Sequence, residues 1–495
     1  MIRPVAEFES KLSAIAALVG EAFPTQDVAI TGLTNQSSEV EAGDLFIALP
    51  GLKVHGANFA GDAERHGARA ILTDTAGKAL AHNAGIPLIV VVDPRKSAGV
   101  ISSWFFSEPM RDMYAVGITG TNGKTTTSTL LAQIWTLAER EVGLIGTIET
   151  RIGKEVFASK RTTPESSELQ SLVSTMRERH VRNLVMEVSS HAIALERMRG
   201  AHFSAVAFTN LTQDHLDFHR NMEEYFNTKA ALFQFEYAEK AYVNIDDPYG
   251  QKLISQSQIP ITKLSRTQKS AEWHYVGAHP VSAGYEIAIR GVGGVLIEGH
   301  LPLQGDYNLD NALMAIAMAV ESGVDPLFMS TILPSLSGAT GRLEPVAVGQ
   351  EFRAFVDYAH SPDAVTRVLE TCKRMTKGKV IAVLGCGGDR DSLKRPLMGR
   401  ALFAGSDTAI FTSDNPRSED PNRILQQMVG EITVVAPSAI IPDRAAAIQY
   451  AVDQAVADDV VIVLGKGHEQ GQESNGEVFP FDDRSVLAQS IENFA

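Results

Sequence analysis

The sequence predicts an α/β protein of three domains, and three observations carry that expectation. The chain has 495 residues, and at ~150 residues per domain it suggests about three, each long enough to bury a full core. Short apolar runs alternate with helical patterns over most of its length, as strands and helices in turn would. The runs at 352–357, 380–385, 408–412 and 460–465 are separated by helical stretches, the pattern of a parallel, doubly wound, Rossmann-like sheet.

Composition narrows the class. Charged residues make up 21% and hydrophobic ones 44%, which suits a globular chain and excludes a disordered one. A net charge of -15 argues against a nucleic-acid or anionic-membrane partner, which needs a basic face. Any phosphorylated ligand must then be met by local positive groups. Cys372 and Cys386 are too few for a disulfide framework and suit a reducing cytosol. Glu7, Glu9 and Lys11 interrupt the start of the chain, so no signal peptide is expected. Runs such as 86–92 are far shorter than the ~20 residues of a membrane helix. A cytoplasmic monomer is expected.

In the first block, 1–109, residues 44–49 read as a strand ending at the Pro50-Gly51 turn, 59–67 as a helix and 70–72 as a strand. Nothing here carries chemistry by itself. Substrate recognition and a purely structural module both fit, and Ser107-Glu108-Pro109 reads as the linker.

The second block, 110–341, holds the most informative stretch. The apolar run 113–118 leads into Gly117-Ile118-Thr119-Gly120-Thr121-Asn122-Gly123-Lys124-Thr125-Thr126-Thr127, and Leu130, Leu131, Ile134 and Ala138 then recur at helical spacing. Strand, glycine turn and helix start aim backbone N–H groups and the positive helix end at one point, a P-loop-type nucleotide site. Lys124 would reach the β- and γ-phosphates and the Thr125 hydroxyl would sit on Mg²⁺. The spacing is G-x-x-G-x-x-G-K-T, with Ile118 where the strict motif has its first glycine. A glycine-rich turn with a solvated lysine is the plain alternative.

Further along, Leu184-Val185-Met186-Glu187 is a strand delivering a carboxylate at its end, a usual place for a second Mg²⁺ ligand. After the strand 205–210 comes Gln213-Asp214-His215-Leu216-Asp217-Phe218-His219. The spacing of His215 and His219 resembles zinc ligation, but no partner cysteine and no HExxH pattern supports it, and one histidine on Mg²⁺ or phosphate fits better. The segment 223–233 is amphipathic, and taken alone its Lys229 is a surface lysine. An alanine-rich helix runs to about Ser322, with Asn308 and Asn311 one turn apart and able to face one ligand.

In the third block, 342–495, each apolar run ends in polar or glycine residues: Tyr358-Ala359-His360, Gly387-Gly388-Asp389-Arg390, Asp414-Asn415-Pro416-Arg417 and Lys466-Gly467-His468-Glu469. Ligands of open α/β sheets sit outside the C-terminal strand ends, so these loops should converge. Arg390, Arg417, Asp414 and Glu469 would suit a substrate carrying both carboxylate and ammonium groups.

Gly120-Thr121-Asn122-Gly123-Lys124-Thr125, Thr162-Thr163-Pro164, Glu187-Val188-Ser189-Ser190-His191, Asp214-His215, Asn308 with Asn311, Gly341-Arg342, Asp357-Tyr358-Ala359-His360 and Asp414-Asn415-Pro416-Arg417 together resemble the Mur ligase family over nearly the whole chain. The similarity is to members that add the third residue to UDP-N-acetylmuramoyl-L-alanyl-D-glutamate. It implies a UDP-substrate domain over 1–109, an ATP domain over 110–341 and an amino-acid domain over 342–495. It also implies ATP-dependent amide ligation through an acyl phosphate, with Mg²⁺, in peptidoglycan precursor synthesis. Lys124, Glu187, His215 and Lys229 would be catalytic, and Thr125, Glu187, His215 and Lys229 (as a carbamate) would serve the metal. ATP would be held by Gly120, Thr121, Asn122, Gly123, Lys124, Thr125, Thr126, Asn308, Asn311, Arg342 and Asp357. The muramoyl peptide would meet Ser37, Thr162, Thr163, Ser189 and Arg197, and the amino acid Arg390, Asp414, Asn415, Pro416, Arg417, Gly465 and Glu469.

Two positions depart from the family pattern. Gln36-Ser37-Ser38 stands where Asp-Ser-Arg is usual, and Leu195 where a glutamine commonly precedes the arginine at Arg197. Arg417 points to meso-diaminopimelate over L-lysine, because a site selecting the extra carboxylate needs a fixed guanidinium and a lysine-selecting site would leave it unpaired. A folylpolyglutamate synthetase, sharing the phosphate loop, and a non-catalytic relative using nucleotide as a switch are the rival expectations.

Overall fold

The computed structural model describes residues 1–494 apart from Phe23, Thr25, Leu52 and Asp217, so Asp217 of the histidine stretch lies outside the described residues. The fold is α/β, built on three main sheets among those residues. The first is a four-stranded parallel sheet of Gly32–Thr34, Asp44–Ile47, Ala70–Thr73 and Leu88–Val90. Its strand at Asp44–Ile47 is two residues shorter than expected, and the expected helix divides into a 3-10 turn, Gly56–Phe59, and a helix, Ala60–His66, closed by Gly67 at φ 110°.

The second sheet has eleven strands. Tyr114–Thr119 lies at its centre, parallel to Asn183–Glu187 on one side and Ala205–Phe208 on the other. All three strands are apolar and buried on both faces, as a covered parallel sheet requires. Ile118 is a core residue of the central strand, which is why the loop glycines start later. The helix Lys124–Leu137 packs Leu130, Leu131, Ile134 and Trp135 against the alanine-rich helix Asp306–Glu321. Each such buried side chain contributes roughly 1.5–3 kcal/mol, which fixes the phosphate loop between two rigid elements. Three antiparallel strands, Trp273–Val281, Gly284–Arg290 and Leu296–Leu301, extend this sheet at one edge.

The third sheet runs in the order Glu344–Pro345, Arg353–Asp357, Val460–Leu464, Val380–Cys386, Thr408–Ser413, Ala439–Ile440. It is parallel throughout except for its two-residue first strand, and helices cover both faces. Beneath the strand ends, Arg444 pairs with Asp483 at 2.6 Å, both fully buried, and also donates to the carbonyls of Ser413 and Leu464. That pair ties two strand ends to the last helix, Asp483–Phe494. Removing one partner of such a pair typically costs about 3–5 kcal/mol.

Candidate functional site

The phosphate loop is held open from behind. Gly120 has φ 147° and Gly123 φ 88°, and a Cβ at either would sit 1.9 Å from Thr209 Oγ1 or 2.3 Å from Asn311 Oδ1. Only glycine fits both. The Thr121 hydroxyl meets Tyr225 Oη at 3.1 Å and the Asn122 N–H donates to Asn210 Oδ1 at 3.0 Å. Lys124 Nζ donates to the Gly120 and Thr121 carbonyls, both at 2.9 Å. Burial, with Arg342 adding repulsion, lowers its pKa against the pull of Glu187 and Asp214.

A cleft of about 260 Å³ beside the loop is lined by Asn122, Gly123, Thr125, Thr126, Asn311, Arg342 and Asp357. Arg342 reaches Thr125 Oγ1 at 3.4 Å and lies over the Tyr358 ring, while its buried Nε has no partner. A guanidinium with an orphaned donor beside the start of the helix Lys124–Leu137 fits an anionic polyphosphate. Asp357 accepts from the Leu343 and Ala359 N–H groups at 2.6 and 2.7 Å, which anchors the Arg342 linker. The two asparagines share one helix face but line different pockets. Asn311 lines this cleft, whereas Asn308 lines a separate pocket, donates to the Gln304 carbonyl and accepts from Asn311 Nδ2 at 3.1 Å.

Glu187 is buried and fully engaged. Oε1 accepts from the Thr147 N–H at 2.7 Å; Oε2 accepts from the Thr125 and Thr147 hydroxyls at 2.9 and 3.0 Å. Oxygen donors on Thr125 and Glu187 suit a hard cation such as Mg²⁺, which keeps waters and phosphate oxygens as its other ligands. Among the described residues no three His, Cys, Asp or Glu side chains gather as a metal cage. The zinc reading fails on geometry, because His219 is buried with Nε2 on Ser190 Oγ at 3.0 Å, whereas His215 faces a cleft. Half-buried beside Asp214, His215 is pushed down to about 3 by desolvation, with His191, Lys124 and Lys229 adding repulsion. The nearby Asp214 carboxylate pulls the other way.

Lys229 is not on the surface, contrary to its reading from the helix alone. The helix Met222–Ala230 turns Tyr225 and Lys229 inward, four residues apart. Only 1% exposed, Lys229 donates to the Gly120 carbonyl at 2.9 Å and lies 4.8 Å from the Tyr225 ring centre. Burial, then repulsion from Lys124, hold its pKa well below the usual lysine value.

The residues expected to meet the muramoyl peptide adjoin Glu187. Thr162 Oγ1 lies 3.0 Å from Thr147 Oγ1, and Thr163 Oγ1 donates to the Glu187 carbonyl at 2.9 Å and to Ser189 Oγ at 3.3 Å. Arg197 donates to the Thr163 carbonyl and pairs with Glu165 at 3.0 Å, and Glu165 also pairs with Arg95 at 3.1 Å. Ser37 stands apart from them, opening the turn Ser37–Glu39, whose Glu39 pairs with Lys160.

The strand-end loops do converge. Arg390, Asp414, Asn415, Arg417, Gly465 and Glu469 line one cleft of about 360 Å³ together with Thr162, His191, Asp214 and His215. Pro416 does not line it; its carbonyl closes on Gly388, leaving no room for a Cβ there. Arg417, at φ 51°, donates through Nε to Glu473 at 3.0 Å and through Nη1 to the Gly388 carbonyl at 2.7 Å. Glu473 therefore balances its charge whatever the ligand, and the argument that a lysine-selecting site would leave Arg417 unpaired does not hold. Its Nη2 has no partner among the described residues and stays available.

Sequence reasoning missed Thr147 and Glu473, and it named Lys466 only as part of a strand-end loop, with no role of its own. Thr147 carries no motif, and Glu473 sits on the hairpin Gly471–Ser474/Glu477–Pro480, which nothing in the chain marks as part of the site. Lys466 had a signal, a lysine two residues past a wholly apolar strand.

Three family models match the chain: "Mur ligase family, catalytic domain" over residues 29–110, "Mur ligase middle domain" over 118–319 and "Mur ligase, glutamate ligase domain" over 341–467. The UDP-N-acetylmuramoyl-L-alanyl-D-glutamate--2,6-diaminopimelate ligase of Streptomyces coelicolor is 44% identical, covering 99% of this chain and 98% of its own. A solved structure of a ligase of that name superposes with a TM-score of 0.67 at 31% identity, covering 98% of this chain and 99% of its own. The Mycobacterium tuberculosis folylpolyglutamate synthase complexed with ADP has a TM-score of 0.63 at 17% identity over 76% of this chain and 92% of its own, a likeness of fold alone. The chain belongs to the Mur ligase family.

Proposed function

We propose that this protein is an ATP-dependent amide ligase that adds meso-diaminopimelate to UDP-N-acetylmuramoyl-L-alanyl-D-glutamate in peptidoglycan precursor synthesis, using ATP and Mg²⁺. The observation that carries it is the run of contacts joining the two clefts. Thr125 of the phosphate loop bonds Glu187, Glu187 bonds Thr147, Thr147 bonds Thr162, and Thr162 lines the cleft of strand-end loops. A nucleotide, a carboxylate and an amine can therefore meet along one line.

The roles follow from that placement. Gly120–Thr126 and Arg342 bind the phosphates, with Asn311 beside them and Asn308 and Asp357 as their supports. Thr125, Glu187, His215 and a carbamate on Lys229 would hold Mg²⁺, which would supply charge neutralisation at the transferring phosphoryl. Lys124 adds its own positive charge there as the D-glutamyl carboxylate attacks the γ-phosphorus, ADP departs and an acyl phosphate forms. Thr162, Thr163, Ser189 and Arg197 orient the muramoyl peptide, with Ser37 on the uridine side. Arg390, Asp414, Asn415, Arg417, Gly465 and Glu469 present the amine, which attacks the acyl carbon and expels phosphate. Arg417 Nη2 takes the distal carboxylate of diaminopimelate, Glu469 the distal ammonium and Arg390 the carboxylate at the reacting end.

Residues 1–109, 110–341 and 342–495 form the UDP-substrate, ATP and amino-acid domains of a cytoplasmic monomer that needs neither nucleic acid nor membrane. The amino-acid domain closes over the acyl phosphate and excludes water. Phosphate release from ATP, measured with each substrate omitted in turn, tests the reading. Release should require both the muramoyl dipeptide and diaminopimelate and should match tripeptide formed by mass. Release that instead follows a folate and glutamate, or nucleotide binding without turnover, would overturn it.

A further inference from the structure

Lys466 follows the strand Val460–Leu464 by two residues and is 0% exposed. Its ammonium donates to three acceptors on two segments: Asn415 Oδ1 at 3.0 Å, Glu469 Oε2 at 3.1 Å and the Gly471 carbonyl at 2.6 Å. An ammonium has three N–H donors, and all are used here. None faces the cleft.

These contacts decide what its neighbours can offer. Asn415 Oδ1 also accepts from the Glu473 N–H at 2.9 Å, so both of its lone pairs are taken. The amide is thereby oriented, and its Nδ2 donates to Glu469 Oε2 at 2.8 Å. Glu469 Oε2 then carries two donors, while Oε1 has no partner among the described residues and Glu469 lines the cleft. The bond to Gly471 fixes the start of the hairpin whose Glu473 holds Arg417 Nε at 3.0 Å.

We propose that Lys466 is a positioning residue of the amino-acid site. It locks the Asn415 amide, turns Glu469 Oε1 toward the incoming ammonium and, through the hairpin, aims Arg417 at the distal carboxylate. The proposal rests on the reading of this cleft as the amino-acid site.

Steady-state kinetics of full-length Lys466→Met, run beside Arg417→Ala, test it. Loss of a charged supporting bond predicts a rise of ~10- to 100-fold in KM for diaminopimelate. The KM values for ATP and the muramoyl dipeptide should stay at wild type, and kcat should fall less than KM rises. A merely structural role would instead lower kcat with the diaminopimelate KM unchanged, or raise all three KM values together, and either result overturns the proposal. If Arg417→Ala raises the diaminopimelate KM and Lys466→Met does not, Lys466 has no positioning role and the cleft reading stands. If neither variant changes it, the cleft reading falls as well. Should Lys466→Met fail to melt cooperatively, Lys466→Gln, which keeps two donors, carries the same test with the same outcomes.

Discussion

Two lysines, both sealed from solvent, behave in opposite ways. Lys466 has a carboxylate, an amide oxygen and a backbone carbonyl around its ammonium. Lys229 has one carbonyl at 2.9 Å, a threonine hydroxyl at 3.5 Å and the face of Tyr225, with Lys124 repelling it and no ion-pair partner among the described residues. Burial is the same for both; the counter-groups differ. A paired buried cation organises its neighbours, whereas an unpaired one is driven toward its neutral form. A neutral amine adds to CO₂, releasing one proton and leaving a carbamate anion. At Lys229 that reaction would turn the repulsion of Lys124 into attraction, as the proposed carbamate requires.

The comparison is broken most directly by removing Lys229. Lys229→Ala should lose on the order of 10³-fold in turnover, the size expected of a charge acting on the reacting centre, and acetate or formate should restore part of it. Initial rates of phosphate release with and without the added carboxylate check this, and an unrescuable variant would count against the carbamate. Next in size, Lys124→Ala should lose ~10²-fold or more in turnover with an unchanged circular dichroism spectrum; near-normal turnover would remove Lys124 from the chemistry. Arg417→Ala should lose on the order of 10²-fold in kcat/KM for diaminopimelate and leave the KM for ATP unchanged. Competition of the wild-type enzyme between equal diaminopimelate and L-lysine sharpens that prediction, and comparable incorporation of both would refute this role for Arg417.

The smallest effect is on stability. In CO₂-free buffer the folded chain holds the Lys229 proton less tightly than the unfolded chain, because burial depresses the folded pKa. Wild-type stability should therefore rise with pH up to the unfolded lysine value near ~10.4 and fall as pH drops toward the folded value. Lys229→Met lacks that slope, and a difference in Tm of about 2 °C between pH 7 and 9 is the expected scale. Equal slopes would mean that Lys229 keeps its proton when folded.

Much of the fold and the nucleotide half of the site were legible because their signals are contiguous. Strand, glycine turn and helix start span residues 114–137 without a gap, and the loops after four apolar runs were expected to converge outside the C-terminal strand ends of the third sheet. What was not legible depends on contacts far apart in the chain. Arg342 meets Thr125 across 217 residues, and Thr147 joins Glu187 across 40. The turn of Lys229 into the core depends on how the helix Met222–Ala230 sits against the phosphate loop, which its amphipathic pattern does not specify. Asn308 and Asn311 show the limit of spacing arguments: one turn apart, they form a relay, with one facing the cleft and the other behind it.

The most direct test of the contrast between the two lysines is ¹³C NMR of the protein equilibrated with ¹³C-labelled bicarbonate. The unpaired, buried amine of Lys229 predicts one carbamate resonance that is absent from Lys229→Met and present in Lys466→Met. No carbamate resonance in the wild-type protein, or one that survives Lys229→Met, would contradict it.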